Sequence, residues 1–171
     1  MIILGLVILI VLLMAGCDDY KPAPLPDMIP DGGFKSEMLH AHNKYRAKHG
    51  VPALRWSSTL ENYAKTWAKQ CKWKHSYGRY GENLAMGTHM DGDMAVRMWY
   101  NEINQYNFNN PGFSKGTGHF TQVVWKGTTR VGCAIVDCTG KPGMYGPYVV
   151  CAYDPPGNVI GKFKENVLRA L

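Results

Sequence analysis

Apolar positions change their spacing twice along this chain, and each change marks a different kind of element. The first sixteen residues, MIILGLVILIVLLMAG, are an unbroken apolar run without a charged side chain. That is shorter than the roughly 18–20 residues a membrane-crossing helix needs, and it fits the apolar centre of an export signal. Residues 18–34, DDYKPAPLPDMIPDGGF, lose all periodicity and hold four prolines. Proline fixes φ and removes an amide donor, so residues 17–34 as a whole read as an extended tether.

From residue 36 the apolar side chains recur at helical spacing. SEMLHAHNKYRAKHG predicts a helix running from a Ser36 cap to Gly50, with Pro52 beyond it. SSTLENYAKTWAKQC carries a capping box, Ser58 with Glu61, and sets Leu60, Ala64, Trp67, Ala68 and Cys71 on one face. DGDMAVRMWYNEINQY predicts a third helix, with Ala95, Met98, Trp99, Glu102 and Tyr106 on one stripe. Glu102 is out of place there, because a carboxylate among apolar side chains needs a partner or a proton. After a loop rich in Gly, Asn and Pro, the period shortens to two. His119–Lys126, Thr129–Cys138 and Pro147–Tyr153 read as strands, joined by short Gly-containing connections that favour antiparallel pairing. Helices first and strands later predict one α+β layered domain over residues 35–171.

Composition adds the compartment. Small residues Ala15 and Gly16 precede Cys17, as in a lipoprotein signal, which makes Cys17 a candidate lipidation site and a membrane anchor. The alternatives are an ordinary cleaved signal or a short uncleaved anchor. Each of these places the folded part outside the cytoplasm, where disulfides persist. Four further cysteines, Cys71, Cys133, Cys138 and Cys151, read as two bridges, and spacing leaves all three pairings open. No C-x2-C spacing supports a zinc cluster built from them.

The formal net charge of +6 is concentrated. Between Lys35 and Arg79 stand ten Lys or Arg, with only Glu37 and Glu61 against them. Such a face suits an anionic lipid or an envelope polymer, or is simply the solvated outside of the helices. An exported chain without a nucleic-acid-binding motif has no evident use for nucleic acid.

Four polar side chains stand out. The period-two reading puts His119 with Thr121, Val123 and Trp125 on one strand face, at the mouth of a buried surface. His75 and Glu82 lie in KHSYGRYGEN, a Gly/Tyr-rich turn after the second helix. With Glu102 they make two imidazoles and two carboxylates, each beside apolar or Gly-rich sequence. Such a set can hold one divalent metal, zinc or copper, or satisfy itself as a hydrogen-bond network around water. His42 reads as a packing residue. No Gly-x-Ser-x-Gly elbow offers a nucleophile.

Several long motifs occur together. Gly118-His119-Phe120-Thr121-Gln122-Val123-Val124-Trp125-Lys126-Gly127-Thr128 and Cys151-Ala152-Tyr153-Asp154-Pro155-Pro156-Gly157-Asn158 resemble the two signatures of the CAP superfamily. That superfamily comprises cysteine-rich secretory, antigen 5 and plant pathogenesis-related proteins, and the plant members are nearest in pattern. Ala152 departs from the second signature, where a polar residue is usual. His42-Asn43-Lys44-Tyr45-Arg46 and Gly81-Glu82-Asn83-Leu84 resemble two further motifs.

The resemblance implies a three-layer α-β-α sandwich with a small antiparallel sheet of three strands between helices. It implies that His75, Glu82, Glu102 and His119 line one cavity, which binds zinc in some members, and that the bridges are Cys71–Cys133 and Cys138–Cys151. Tyr106, Phe108 and Phe113 match an aromatic pattern attributed to a lipid-binding loop. The function expected is therefore a binding module for a sterol, a fatty acid or an envelope component, rather than an enzyme. A zinc-dependent hydrolase with Glu82 or Glu102 as base, and a surface interaction or defence protein, are the other expectations.

Overall fold

A computed structural model describes residues 33–171. The expected export signal, the expected lipidation site Cys17 and nearly all of the expected tether lie outside these residues. Helix α1 spans Phe34–Lys48 and begins two residues before the expected Ser36 cap, with Gly33 at the cap position and no side-chain cap. Strand β1, Arg55–Trp56, leads into helix α2, Ser58–Ala68. The cap of α2 is Ser57, which accepts from the Leu60 amide, and not Ser58. Glu61 is thereby freed from a capping box and its carboxylate accepts from the Trp56 indole at 2.8 Å.

The segment read as a turn around Glu82 is a strand, β2, Gly81–Met86. Helix α3, Gly92–Asn101, starts at Asp91, whose side chain accepts from the Met94 amide at 2.7 Å. A 3-10 turn, Glu102–Gln105, follows it directly. Met98 does not share the buried stripe. It is 49 % exposed, and Ala95, Val96 and Trp99 carry the contact.

The expected strand over His119–Lys126 is instead helix α4, Gly118–Val123. Phe120, Thr121, Gln122 and Val123 are all buried, and the amides of Thr121 and Val124 bond back to the carbonyls of Thr117 and Phe120 at 3.0 and 3.2 Å, the four-residue spacing of a helix rather than a ladder to a neighbouring strand. Strands β3, Arg130–Asp137, and β4, Pro147–Asp154, form the predicted hairpin, and a short helix α5, Phe163–Asn166, lies near the end of the chain. The sheet order is β1-β3-β4-β2. It is mixed rather than wholly antiparallel, because β1 runs parallel to β3 while β2 and β3 flank β4 antiparallel.

Each face of the sheet carries its own core. One holds Met38, Leu54, Val96, Trp99, Phe120, Val131 and Tyr153, from α1, α3, α4 and the sheet. The other holds Leu60, Ala64, Ala68, Leu84, Tyr148 and Val150, under α2. This is the expected α-β-α sandwich, its apolar burial on both faces supplying the main stabilisation. The start of α2 sits directly on β3 at Gly132, where a Cβ would come within 2.2 Å of the Glu61 nitrogen. Only glycine permits that approach.

The disulfides correct the pairing that the resemblance implied. They are Cys71–Cys138 and Cys133–Cys151. Register is the reason: Cys133 lies directly opposite Cys151 on the β3–β4 ladder. Cys138, just beyond β3, is left to meet Cys71 just beyond α2.

The first core also holds a charge. Arg46 on α1 is fully buried and donates to the carbonyls of Pro52, Val123, Trp125 and Thr128. Burial lowers its pKa to about 10, which leaves it charged at neutral pH. Its guanidinium thus holds the irregular segment after α4 against α1.

Candidate functional site

Strand β2 is an edge of the sheet, and the predicted site residues gather around it. Glu82 has a side chain only 6 % exposed. Its Oε1 accepts from His75 Nδ1 at 2.7 Å and from the Ser76 amide at 3.0 Å. Its Oε2 is buried without a partner. Near it lies Tyr148, whose hydroxyl is likewise buried and unpartnered. Burial first, and the Glu82 charge second, push the Tyr148 phenol above its ordinary range.

The other pair joins the end of α3 to the start of α4. Glu102 Oε1 accepts from His119 Nδ1 at 2.7 Å, and Oε2 accepts from the amides of His119 and Phe120 at 2.9 and 3.1 Å. Amides in the first turn of a helix have no partner within it, so Glu102 caps α4 from a different segment. This answers the anomaly of a carboxylate on an apolar stripe. His119 also lies over Trp99, ring centroids 6.2 Å apart. The Trp99 indole in turn donates to the Leu84 carbonyl on β2.

A carboxylate at Nδ1 fixes the imidazole proton there and leaves the Nε2 lone pair for another group. His75 and His119 share this arrangement, with side chains 47 % and 30 % exposed. The structure therefore joins the four predicted residues as two pairs, His75 with Glu82 and His119 with Glu102. Among the described residues, no three His, Cys, Asp or Glu side chains form a ready-made metal cluster. Two open concavities of about 360 and 470 Å³ lie along α2, lined by other residues.

Sequence reasoning missed three contributors. Asn83 Nδ2 donates to the His119 carbonyl at 3.1 Å and ties α4 to β2. Ser76 lends its amide to Glu82. Tyr148 shares the face of Glu82, which strand parity would reveal only once the register of β2 on β4 is known.

The predicted lipid residues divide. Tyr106 and Phe108 pack on each other at 4.8 Å and on Phe120, and burial pushes the Tyr106 phenol up. Phe113 is 53 % exposed and lies against Gly118.

These features define a two-disulfide α-β-α domain with carboxylate-held histidines at a sheet edge. The chain belongs to the cysteine-rich secretory protein family, CAP, whose model matches residues 39–153. Protein PRY2 of Saccharomyces cerevisiae is 48 % identical over 140 residues, covering 79 % of this chain and 41 % of its own length. Secreted protein RBT4 of Candida albicans is 46 % identical over 157 residues, covering 82 % and 42 %. The chain thus spans less than half the length of these two relatives. The crystal structure of NaASP2 with Zn2+ superposes with a TM-score of 0.64 at 27 % identity, covering 83 % of this chain and 90 % of that one.

Proposed function

We propose that this protein is an exported binding module that holds a divalent metal of the zinc class through His75 and His119. The observation that carries the reading is the pair of imidazoles held by carboxylates at Nδ1. A histidine that ligates a metal through one nitrogen typically gives its other N–H to a carboxylate or carbonyl. Glu82 and Glu102 are then orienting residues and the two Nε2 atoms the donors. A nitrogen donor set suits zinc, which supplies a Lewis acid when bound. The solved neighbour crystallised with Zn2+ supports the choice of ion. Export is supported by the two disulfides and by relatives named as secreted proteins.

Binding rather than turnover follows from the carboxylates. Glu102 accepts three hydrogen bonds and Glu82 keeps its remaining oxygen buried. Neither is placed to collect a proton from a reactant. Calorimetry with zinc tests the reading. Saturable binding to the native protein, lost in His75→Ala and in His119→Ala, is the expected result. Equal affinity in either variant overturns it.

A second reading concerns an apolar ligand such as a sterol or fatty acid. Phe113 lies beside Gly118, whose carbonyl accepts from Asn158, and Val159 and Ile160 next along the chain are exposed. These exposed apolar side chains are the ones available to meet such a ligand. Labelled sterol or fatty acid that binds equally to Phe113→Ala would remove the reading.

A further inference from the structure

The segment Lys69–Tyr80, KQCKWKHSYGRY, carries Lys69, Lys72, Lys74 and Arg79 and no acidic residue. All four cations are exposed. Between them stand two aromatic side chains that the fold leaves outside its core. Trp73 is 54 % exposed and Tyr77 is 88 % exposed. Tyr77 also adopts a φ of 54°, a left-handed conformation that non-glycine residues seldom take.

The segment is held from several sides. Cys71 is bridged to Cys138, the Lys74 carbonyl accepts from the Trp67 indole at 2.9 Å, and the Ser76 amide is bound by Glu82. Trp73 meets Tyr148 edge-on at 5.8 Å. Three acids lie near this end of the molecule, and two are matched: Glu82 is buried beneath His75, and Asp154, in the concavity it shares with Arg79, pairs with Arg130. Asp137, beside the bridge, is an exposed carboxylate that accepts from the amide and hydroxyl of Thr139, which leaves four cations against one free acid.

We propose that this segment is a docking surface for a bilayer containing anionic lipid. Charge complementarity selects a negative partner, because clustered Lys and Arg are drawn to the potential of an anionic leaflet. The aromatic rings select a bilayer over a soluble polyanion. Trp and Tyr favour the boundary between headgroups and acyl chains, where a ring can be buried while its polar atom stays wet. A surface that read charge alone would gain nothing from presenting them. Because the segment is already ordered, docking does not first have to fix its backbone. This surface is separate from the aromatic residues around Phe113 and does not depend on a bound metal.

Fluorescence of the full chain, in chelator, with phosphatidylcholine vesicles with and without phosphatidylglycerol, tests the idea. Of the five tryptophans, Trp73 is the one left exposed, while Trp99 and Trp125 are nearly inaccessible. The expected result is a blue shift, and quenching by brominated acyl chains, on anionic vesicles only. Trp73→Phe should abolish both signals. Lys72→Gln with Lys74→Gln should reduce the response to a given vesicle concentration about tenfold or more, and added salt should do likewise. Trp56 and Trp67 are partly buried, so the difference between the native protein and Trp73→Phe isolates the signal of Trp73 from insertion elsewhere in the chain. An unshifted emission overturns the proposal, as does an equal shift on neutral vesicles or a shift that survives Trp73→Phe. Tight binding to a soluble polyanion with no vesicle response would show a charge-reading surface and overturn it equally.

Discussion

Two sets of histidines in this domain obey opposite rules. His42, on α1, is completely buried, and both ring nitrogens are taken: Nδ1 by the Met38 carbonyl at 2.7 Å and Nε2 by the Tyr153 hydroxyl at 2.8 Å. Its burial pushes the pKa down to about 4. His49 behaves similarly, between the Leu168 carbonyl and the Tyr100 hydroxyl. His75 and His119 are partly exposed, and each gives only Nδ1 to a carboxylate. The first arrangement completes a core. The second leaves one nitrogen for something outside the protein. Proximity to apolar sequence is common to both and separates nothing.

The comparison breaks most violently at Arg46, which serves the same core as His42. Replacing it by Met would fill much of its volume but strand the carbonyls of Pro52, Val123, Trp125 and Thr128. Buried acceptors left without donors cost about 1–3 kcal/mol each before relaxation. A loss on the order of 5 kcal/mol, or failure to fold, is expected in urea unfolding. A loss below about 1 kcal/mol would show that the buried network does not hold the core together. Removing Cys71–Cys138 should rank next. Its sequence separation of 67 exceeds the 18 of Cys133–Cys151. Chain entropy then gives about 4 kcal/mol for the longer loop and about 3 for the shorter. Urea unfolding of the two paired Cys→Ser variants would reverse this order if constraint of the unfolded chain were not the main effect.

The next effect is a pH dependence. An unfolded histidine titrates near 6.5, whereas folded His42 does so at about 4. Between these values the unfolded chain binds more protons, so stability falls as pH drops through the window and levels off below it. The magnitude is about 3 kcal/mol. His49, whose pKa is also lowered by burial, adds in the same direction. His42→Gln should flatten the fall between pH 6.5 and 4 in thermal or urea unfolding. Asp137, held below its ordinary value mainly by the Thr139 hydroxyl, acts below this window and does not confuse it. An unchanged slope would mean that His42 is not the buried neutral base described.

The sequence was legible where pattern and packing agree. Helices α1 to α3 follow from apolar spacing, although the expected caps Ser36 and Ser58 give way to Gly33 and Ser57, and β3 and β4 from β-like runs between Gly-containing connections. It misled at α4. Phe120 to Val123 contain β-branched residues and suggested a strand, but a helix is held there by Glu102 on its first amides, a contact from seventeen residues away. Strand β2 was hidden because Gly81 and Asn83 look like turn residues, and its pairing with β4 is long-range. The bridge pattern depended on the same missing register. The four candidate residues were chosen by type and motif, and their division into two carboxylate-imidazole pairs is a property of how α3, α4 and the loop after α2 meet the sheet edge.

The smallest expected effect is the sharpest test. His75→Ala removes a half-exposed ring whose one protein hydrogen bond is to Glu82 Oε1, and that oxygen keeps the Ser76 amide at 3.0 Å. A hydrogen bond to a carboxylate is worth about 1.5–3 kcal/mol, and the space left by a half-exposed ring lets water replace part of the lost donor. Urea unfolding should therefore show a shift of about 2 kcal/mol or less with an unchanged slope, against the roughly 5 kcal/mol expected at Arg46. Zinc affinity, by contrast, should vanish in the same variant. A residue that matters little to folding and decisively to a ligand is what the free nitrogen predicts. If His75→Ala were as destabilising as Arg46→Met, its contact with Glu82 would belong to the core, and the distinction between the two kinds of histidine would fail.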